Sequence, residues 1–321
     1  MNGDTIRGGN LPPIQTFADL FCGIGGFHVA AADLGLKCVF ACDIDEDAQD
    51  AYEANFGMRP EGDIIDIRPD EIPDHDILFA GLPCQPFSII GKRGGFKDSR
   101  GNLFLETARV IAAKRPRAVL IENVRQFTTI QGGKTIRCVV ATLEALGYAV
   151  DWRILNALDF GLPQKRERVF IVGLDVGFAQ FPWPAGGVPM KPLAEILEEN
   201  PDPRHNASER IRQARQEAHA AEIRPAIWHE NKGGNVSSHP FSCALRAGAS
   251  YNYLLVDGIR RLTPREMFRL QGFPDSYILP DSVSAARRLA GNSVAVPVVR
   301  AVLESMLKGR LDTRDGHKIP V

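Results

Sequence analysis

Between Thr16 and about Gly173, short apolar runs alternate with segments of helical periodicity. The runs TFADLF, CVFACDI, DILFAG, AVLIENV, VDWRILNA and RVFIVGL are interleaved with GFHVAAADLG, EDAQDAYEANFG, LFLETARVIAAKR and TIRCVVATLEALG. Runs this short, with no alternation of polar residues, fit parallel strands covered on both faces by helices. Repeated β-α units of this kind predict an α/β, doubly wound, Rossmann-like domain. After Gly173 the pattern stops. FPWPAGGVP is a Pro/Gly-rich linker, residues 193–224 are polar with helical character, and residues 225–259 hold strand-like pieces broken by Gly, Asn and Ser. Helical periodicity returns over 284–308 in SAARRLA and VPVVRAVLESMLK. The predicted organisation is a flexible N-terminus over 1–15, a main domain over 16–185 completed by 284–321, and a smaller, mostly β or irregular domain over 186–283.

The candidate chemistry sits where the predicted strands end. DILFAG runs into Pro83-Cys84-Gln85-Pro86, where prolines fix φ on both sides of the thiol and Gly81 lets the strand stop abruptly. Such a frame displays a cysteine as a nucleophile is displayed, although an inert thiol also fits a Pro-rich turn. The first strand ends in Asp19-Leu20-Phe21-Cys22-Gly23-Ile24-Gly25-Gly26-Phe27, a glycine-rich turn that opens a helix. The spacing is not G-x-G-x-x-G, but the next strand ends in Asp43, about 20 residues on, where an acid accepts hydrogen bonds from a ribose. A nucleoside cofactor is predicted; a tight bend alone would also explain the glycines. Asp63, in Gly62-Asp63-Ile64 at the end of a further strand, suits an adenine amino group, an amino-acid moiety or a helix N-cap.

Glu122 follows the run Ala118-Val119-Leu120-Ile121, so a carboxyl lies at the carboxyl end of a buried strand. Burial raises its pKa and equips it to donate a proton to a ring nitrogen; pairing with a structural arginine is the other reading. Gln164-Lys165-Arg166-Glu167-Arg168 then brings a cluster of cations to the entry of RVFIVGL, to orient that acid and grip a phosphate, or to face solvent.

Bulk properties narrow this only at the margins. With 321 residues the chain accommodates one large and one smaller domain. A net charge of -1 neither favours nor excludes nucleic acid, so any basic surface must be regional. The 6 cysteines form no C-x-x-C pair and no zinc-finger spacing, which argues against a metal and for a reducing cytoplasm. Residues 1–15 lack the apolar core of a signal peptide, and no run reaches the ~18 to 20 apolar residues of a membrane span, so a soluble intracellular protein is predicted.

Taken in order, FADLFCGIGGFHVA, ACDID, GDIIDI, GLPCQPFS, IENV, QKRERVFIVG, RRLTPREMFRLQGFP and GNSVAVPVV resemble the sequence blocks of the C5-cytosine-specific DNA methyltransferases. The resemblance covers nearly the whole chain, and the stretch between QKRER and RRLTPRE is similar to that family's target recognition domain. It implies methyl transfer from S-adenosyl-L-methionine to C5 of a cytosine in duplex DNA, leaving S-adenosyl-L-homocysteine, with no metal. The Cys84 thiolate would attack C6, Glu122 would hold or protonate N3, Arg168 would contact the base, and Arg166 would lie nearby. Because C6 is inaccessible in stacked DNA, the base must flip out, at a cost of roughly a few kcal/mol.

The implied cofactor pocket comprises Phe21 against the adenine, Gly23, Gly25, Asp43, Ile44, Asp63, Leu103 and Asn292. Ile44 departs from members with an aromatic there, which substitutes aliphatic contact; Asn292 is also readable as a turn residue. Residues 88–100 combine glycines with cations, as a closing lid or a solvated loop would. Predicted DNA contacts are Gln85, Ser88, Lys92 and Arg100, then Lys165, then Arg246, Tyr251, Asn252 and Arg260 in the recognition region. The Gly-rich stretches around 231–235 and 246–253 could equally be ordinary turns. Ala244-Leu245 stands where members often carry Thr-Leu, so a phosphate contact is missing or replaced. Arg260, Arg261, Arg265 and Arg269 are expected to divide between phosphates and buried salt bridges.

The expected role is the modification half of a prokaryotic type II restriction–modification system: a monomer, cytoplasmic and nucleoid-associated, acting on double-stranded DNA beside a separate cognate endonuclease. Three other readings account for less of the sequence. The transfer-RNA branch carries a Cys-Phe-Thr element in its recognition region, and this chain offers only Phe241-Ser242-Cys243-Ala244. An inactive DNA-binding scaffold would have lost Cys84 or Glu122, and both are present. A nicotinamide dehydrogenase accounts for the first βα unit and leaves PCQP and QKRER unexplained.

Overall fold

The computed structural model describes residues 13–83, 103–175 and 180–312. In chain order its first part runs β1 (Thr16–Leu20), α1 (Gly26–Ala32), β2 (Lys37–Cys42), α2 (Glu46–Phe56), β3 (Ile77–Gly81), α3 (Leu103–Lys114), β4 (Ala118–Val124), α4 (Lys134–Ala145), β5 (Ala149–Asn156), β6 (Gln164–Lys165) and β7 (Glu167–Leu174). It continues with α5 (Glu209–Ala218), β8 (Ile227–Glu230), β9 (Val236–His239), β10 (Ser242–Cys243), β11 (Leu254–Val256), α6 (Pro264–Gln271), α7 (Val283–Asn292) and α8 (Val296–Asp312).

The main sheet has the order β2-β1-β3-β4-β7-β5. Its apolar strands are covered on both faces, as their composition predicts. On one face Phe17, Phe79, Leu120 and Phe170 pack with Phe27 of α1 and Val299 and Val302 of α8. On the other, Leu20, Leu78, Val119 and Ile121 pack with Val110 of α3 and Val139 and Leu143 of α4. From β1 the chain winds one way to β2 and the other way through β3 to β4, so the switch point lies at the carboxyl ends of β1 and β3, where open α/β sheets bind ligands.

The expectation of parallel strands needs one correction. β1, β2, β3 and β4 pair in parallel, but β7 runs antiparallel to both β4 and β5. A parallel crossover needs a dozen or more residues, usually a helix. Only residues 157–166 separate β5 from β7, so the chain turns back instead. The reversal has a chemical consequence: it brings the start of β7, where the arginines are, beside the carboxyl end of β4, where Glu122 is, with Val124 opposite Arg168 and Glu122 opposite Phe170.

Two smaller expectations also change. Asp63 does not end a strand: one isolated bridge, Cys42 to Glu61, is formed there, and the Asp63 carboxylate accepts from Ile65 N at 3.0 Å in a turn. Pro60, which has no N–H to give to a ladder, helps explain the absence of a strand. Within the N-terminal segment predicted as flexible, residues 13–15 are tied down. Gln15 donates its N–H to Asp76 at 2.8 Å, its carbonyl accepts from Lys37 N at 2.8 Å, and Arg117 donates to Pro13 O at 3.3 Å.

Beyond the main sheet, β8 is flanked by β9 and β11 in a three-stranded sheet, while β10 pairs with β6. The polar 193–224 stretch contains α5, and 284–308 form α7 and α8 apart from the short connection over 293–295. α6 begins with a capping box in which Thr263 and Glu266 each satisfy the other's backbone N–H, and it ends on Gly272 at φ 85°. Glu266 is fully buried and also accepts from Glu198 N at 2.9 Å and from both terminal nitrogens of Arg260, at 2.8 and 2.7 Å.

Arg260, predicted as a DNA contact, is committed to Glu266 in this fold. Its side chain is only 12% exposed, because a carboxylate taken out of water requires a cation and hydrogen bonds. Arg260→Ala is expected to destabilise the fold by about 3–5 kcal/mol in denaturant unfolding, since it strands that carboxylate. A cost near zero would mean that the Arg260–Glu266 pair does not hold the fold together.

Candidate active site

A cleft of about 360 Å³ opens at the carboxyl ends of β1, β2, β3 and β4. The glycine-rich turn forms one wall. Phe21, Gly23 and Gly25 all take left-handed backbone, at φ 57°, 52° and 73°, so the chain reverses within a few residues of β1. For Phe21, which has a Cβ, that conformation is uncommon and is of the kind found at ligand clamps. The two glycines differ in purpose. A Cβ on Gly25 would stand 2.3 Å from the Phe56 ring, so Gly25 allows α2 to pack against the turn. A Cβ on Gly23 would meet nothing within 4 Å, and Gly23 lines the cleft.

Asp43, just past β2, is fixed against this turn. One carboxylate oxygen accepts from Gly23 N at 2.7 Å and the other from Asp45 N at 2.9 Å. Burial pushes the Asp43 carboxyl up, opposed by the backbone donors of Gly23 and Ile44 and by Arg288. Ile44, next to it, is 72% exposed and lies in the cleft wall, an apolar surface left open to a ligand. Asn292, the last residue of α7, lines the wall together with Gly291 and Ser293. Gly25, Asp63 and Leu103 do not line the cleft; Leu103 begins α3 and accepts there from the Thr107 hydroxyl.

The other wall carries the acid. Glu122 is 7% exposed, and its carboxylate pairs with Arg168 Nε at 3.1 Å. These residues are diagonal neighbours across β4 and β7, a relationship that exists because β7 is reversed. Burial pushes the Glu122 carboxyl above its ordinary range, and Arg168 and then Arg166 oppose it without cancelling it. Gly81, Leu82 and Pro83 complete this wall, and Asn123 Nδ2 donates to Leu82 O at 3.2 Å, joining the ends of β3 and β4. Cys84, Gln85, Ser88, Lys92 and Arg100 lie outside the described residues. Pro83, bonded directly to Cys84, lines the cleft beside Glu122.

Arg166 borders the same cleft in a different role. It is 2% exposed and donates to three backbone carbonyls: Leu245 at 3.1 Å, Gly291 at 3.1 Å and Ser293 at 2.5 Å. It therefore fastens the loop after β10 to the end of α7. Gln164, which sequence reading passed over, does similar work: it is fully buried, donates to Leu270 O at 2.8 Å and accepts from Leu245 N at 3.0 Å. A signal was available. Gln164 and Arg166 point inward while Lys165 is exposed, which is the two-residue alternation of extended chain.

The remaining predicted contacts gather around residues 246–252. Arg246 lies over the Tyr253 ring at 4.7 Å, Tyr251 is 47% exposed beneath Arg287 at 4.3 Å, and Asn252 accepts from Arg261 Nε at 2.9 Å. Arg269 pairs with Asp275, and Arg265 donates to Tyr277 O at 2.9 Å. Among the described residues no group of His, Cys, Asp or Glu is placed to hold a metal ion, and no helix is long and apolar enough to cross a membrane.

A doubly wound sheet with a glycine turn and ribose-type acid at its switch point, and a buried carboxyl–guanidinium pair in the same cleft, has the architecture of a Rossmann-like methyltransferase. The chain belongs to the C-5 cytosine-specific DNA methylase family, whose model matches residues 15–308, and is a DNA (cytosine-5-)-methyltransferase by class. It is 53% identical over 287 residues to the type II methyltransferase M.NgoBI of Neisseria gonorrhoeae, covering 88% of this chain and 90% of that one. It is 50% identical to the type II methyltransferase M.HaeII of Haemophilus aegyptius over 293 residues, 90% of this chain and 92% of the other. Among solved structures, the S. pombe Dnmt2 methyltransferase superposes with a TM-score of 0.71 at 25% identity, covering 93% of this chain and 99% of that one.

Proposed function

We propose that the cleft binds S-adenosyl-L-methionine together with a cytosine flipped out of double-stranded DNA, and that Cys84 and Glu122 methylate its C5. The role is modification within a restriction–modification system, beside a separately acting endonuclease. The observation that carries this reading is the buried Glu122–Arg168 pair in one cleft with Pro83, the residue before Cys84.

The residues fit the cofactor. The open space before Gly23 is a cradle that a Cβ would enter, and Asp43 is held by two N–H donors with lone pairs left for ribose hydroxyls. Phe21 and Ile44 offer apolar contact to an adenine, and Asn292 a polar group near by. When bound, S-adenosylmethionine supplies an electrophilic methyl group and leaves as S-adenosylhomocysteine.

The chain's own groups do the rest. The Cys84 thiolate adds to C6, forming a C–S bond and shifting the electron pair of the C5–C6 bond towards C5. Glu122, whose carboxyl burial pushes above its ordinary range, gives its proton or a hydrogen bond to N3, which accepts the charge pushed into the ring. Arg168 holds the Glu122 carboxyl in place and borders the space for the base. Once C5 is methylated, solvent water takes the C5 proton, that electron pair re-forms the C5–C6 double bond, and the C–S bond breaks with its pair leaving on Cys84 as thiolate. The deciding experiment is methyl incorporation from labelled S-adenosylmethionine into unmodified genomic DNA and, separately, transfer RNA, with base-resolution mapping. Label in DNA at one short motif is the expected result; label only in RNA would overturn the substrate assignment.

Gly23→Ala tests the cradle. The variant places a methyl group in the cleft and asks a non-glycine residue to adopt φ 52°, at about 1–2 kcal/mol. S-adenosylhomocysteine binding measured by calorimetry should weaken about tenfold or more. Unchanged affinity would move the cofactor elsewhere.

A further inference from the structure

The Leu245–Ala247 segment separates the catalytic cleft from a second cavity. Arg166, in the cleft wall, grips Leu245 O, and Gly291, also in that wall, abuts this backbone so closely that a Cβ would stand 2.4 Å from Ala247 N. On the far side, Leu245 and Arg246 line a cavity of about 200 Å³. No residue assigned above to chemistry or to the cofactor lines it.

Its chemistry is one-sided. Arg204, Arg246, Arg261 and Arg287 line it, and no Asp or Glu does among the described residues. Arg204 has a carboxylate partner, Asp202 at 3.4 Å. The other three have no carboxylate partner among the described residues: Arg246 lies over Tyr253, Arg261 donates to the Asn252 side-chain oxygen, and Arg287 donates to Ser250 O while lying over Tyr251. Three uncompensated guanidinium groups around one concavity favour an anion. A bare phosphate would explain the charge, but not the Tyr251 ring, nearly half exposed, or the apolar floor of Leu254 and Met267. Those surfaces suit a flat, largely apolar ring system.

We propose that this cavity binds a second nucleotide of the DNA substrate, one that leaves the stack: its base lies against Tyr251 and its 5′-phosphate is held by Arg261 and Arg246. The proposal rests on the duplex-DNA reading above. Guanidinium planes and tyrosine faces grip an unstacked base in a way a paired base does not permit. A nucleotide held on one side of the Leu245–Ala247 wall while the target cytosine occupies the other gives the protein a local means of selecting sequence.

The test uses 5′-dGMP and 5′-dAMP as probes, titrated into the full chain by calorimetry or saturation-transfer NMR, with S-adenosylhomocysteine saturating the cofactor cradle. Both nucleotides are expected to bind, and Tyr251→Ala to weaken them about tenfold, the effect of losing one base–aromatic stack. Arg261→Gln is expected to remove most of the advantage of the nucleotides over the corresponding nucleosides. S-adenosylhomocysteine affinity serves as the folding control, since neither residue touches its cradle. Inorganic phosphate binding as tightly as the nucleotides would reduce the cavity to a backbone-phosphate contact and overturn the proposal. Nucleotide binding indifferent to both substitutions, or absent, would overturn it too. Because none of these measurements needs methyl transfer, their failure is distinguishable from failure of the proposed function.

Discussion

Cys84→Ala is expected to eliminate methyl transfer, by more than about 10⁴-fold in labelled-methyl incorporation, while DNA binding by gel shift stays within about threefold. The size follows from the chemistry. C5 of cytosine is a poor nucleophile until something adds at C6, and no positioning or acid catalysis replaces that addition. The other cysteines do not offer a substitute. Cys22 borders the cleft, but burial first, with Asp19 and Asp43 adding to it, pushes its thiol well above the ordinary range. Burial pushes Cys38 and Cys42 up to about 12, and Cys243 upward as well. At neutral pH these are thiols, not thiolates. Cys138 is exposed on α4 and is not among the cleft residues. Residual methylation within a factor of about ten of the unaltered protein would therefore mean that no C6 adduct forms.

Much of this was legible before any coordinates, and the limits have physical causes. The strands and helices of the main sheet declared themselves because a run buried on both faces must be apolar throughout, so AVLIENV or DILFAG leaves little choice. The direction of β7 was less visible, since an apolar run reads the same either way; only the short connection over 157–166 carried the information. Asp43 and Glu122 stand out in the sequence because each ends such a run, and both line the cleft. The pairing of Glu122 with Arg168, and the different work of Arg166, depend on register and on which side of the chain faces inward, and charge composition alone does not encode either. Arg260 shows the same limit: an arginine in a basic block looks like a phosphate ligand until the buried Glu266 six residues on is seen to need it. The second cavity was beyond sequence reading, because it is assembled from turn, strand, loop and helix residues spread from Arg204 to Arg287.

Glu122→Gln is expected to lower kcat by about 10²–10⁴ while leaving S-adenosylhomocysteine binding nearly unchanged. Glutamine keeps a donor that can reach N3 but has no proton to give, so the variant separates holding the base from protonating it. The loss will not reflect unfolding. Burial disfavours the charged carboxylate more than Arg168 and Arg166 together favour it, so the folded-state pKa lies above the unfolded one. A group of that kind contributes its full stability below the unfolded pKa, and the contribution is lost as pH rises through the folded pKa. Above that window the ionised Glu122 is a net cost, and a neutral isostere should melt no lower than the unaltered protein. The same sign governs catalysis. In the proposed mechanism Cys84 acts deprotonated and Glu122 protonated, so kcat should rise with pH on the thiol's ionisation and fall again as Glu122 loses its proton. The variant should lose that alkaline fall while keeping the acidic limb. If the alkaline fall persists with glutamine in place, the proton comes from another group, and the buried Glu122–Arg168 pair serves only to shape the cleft.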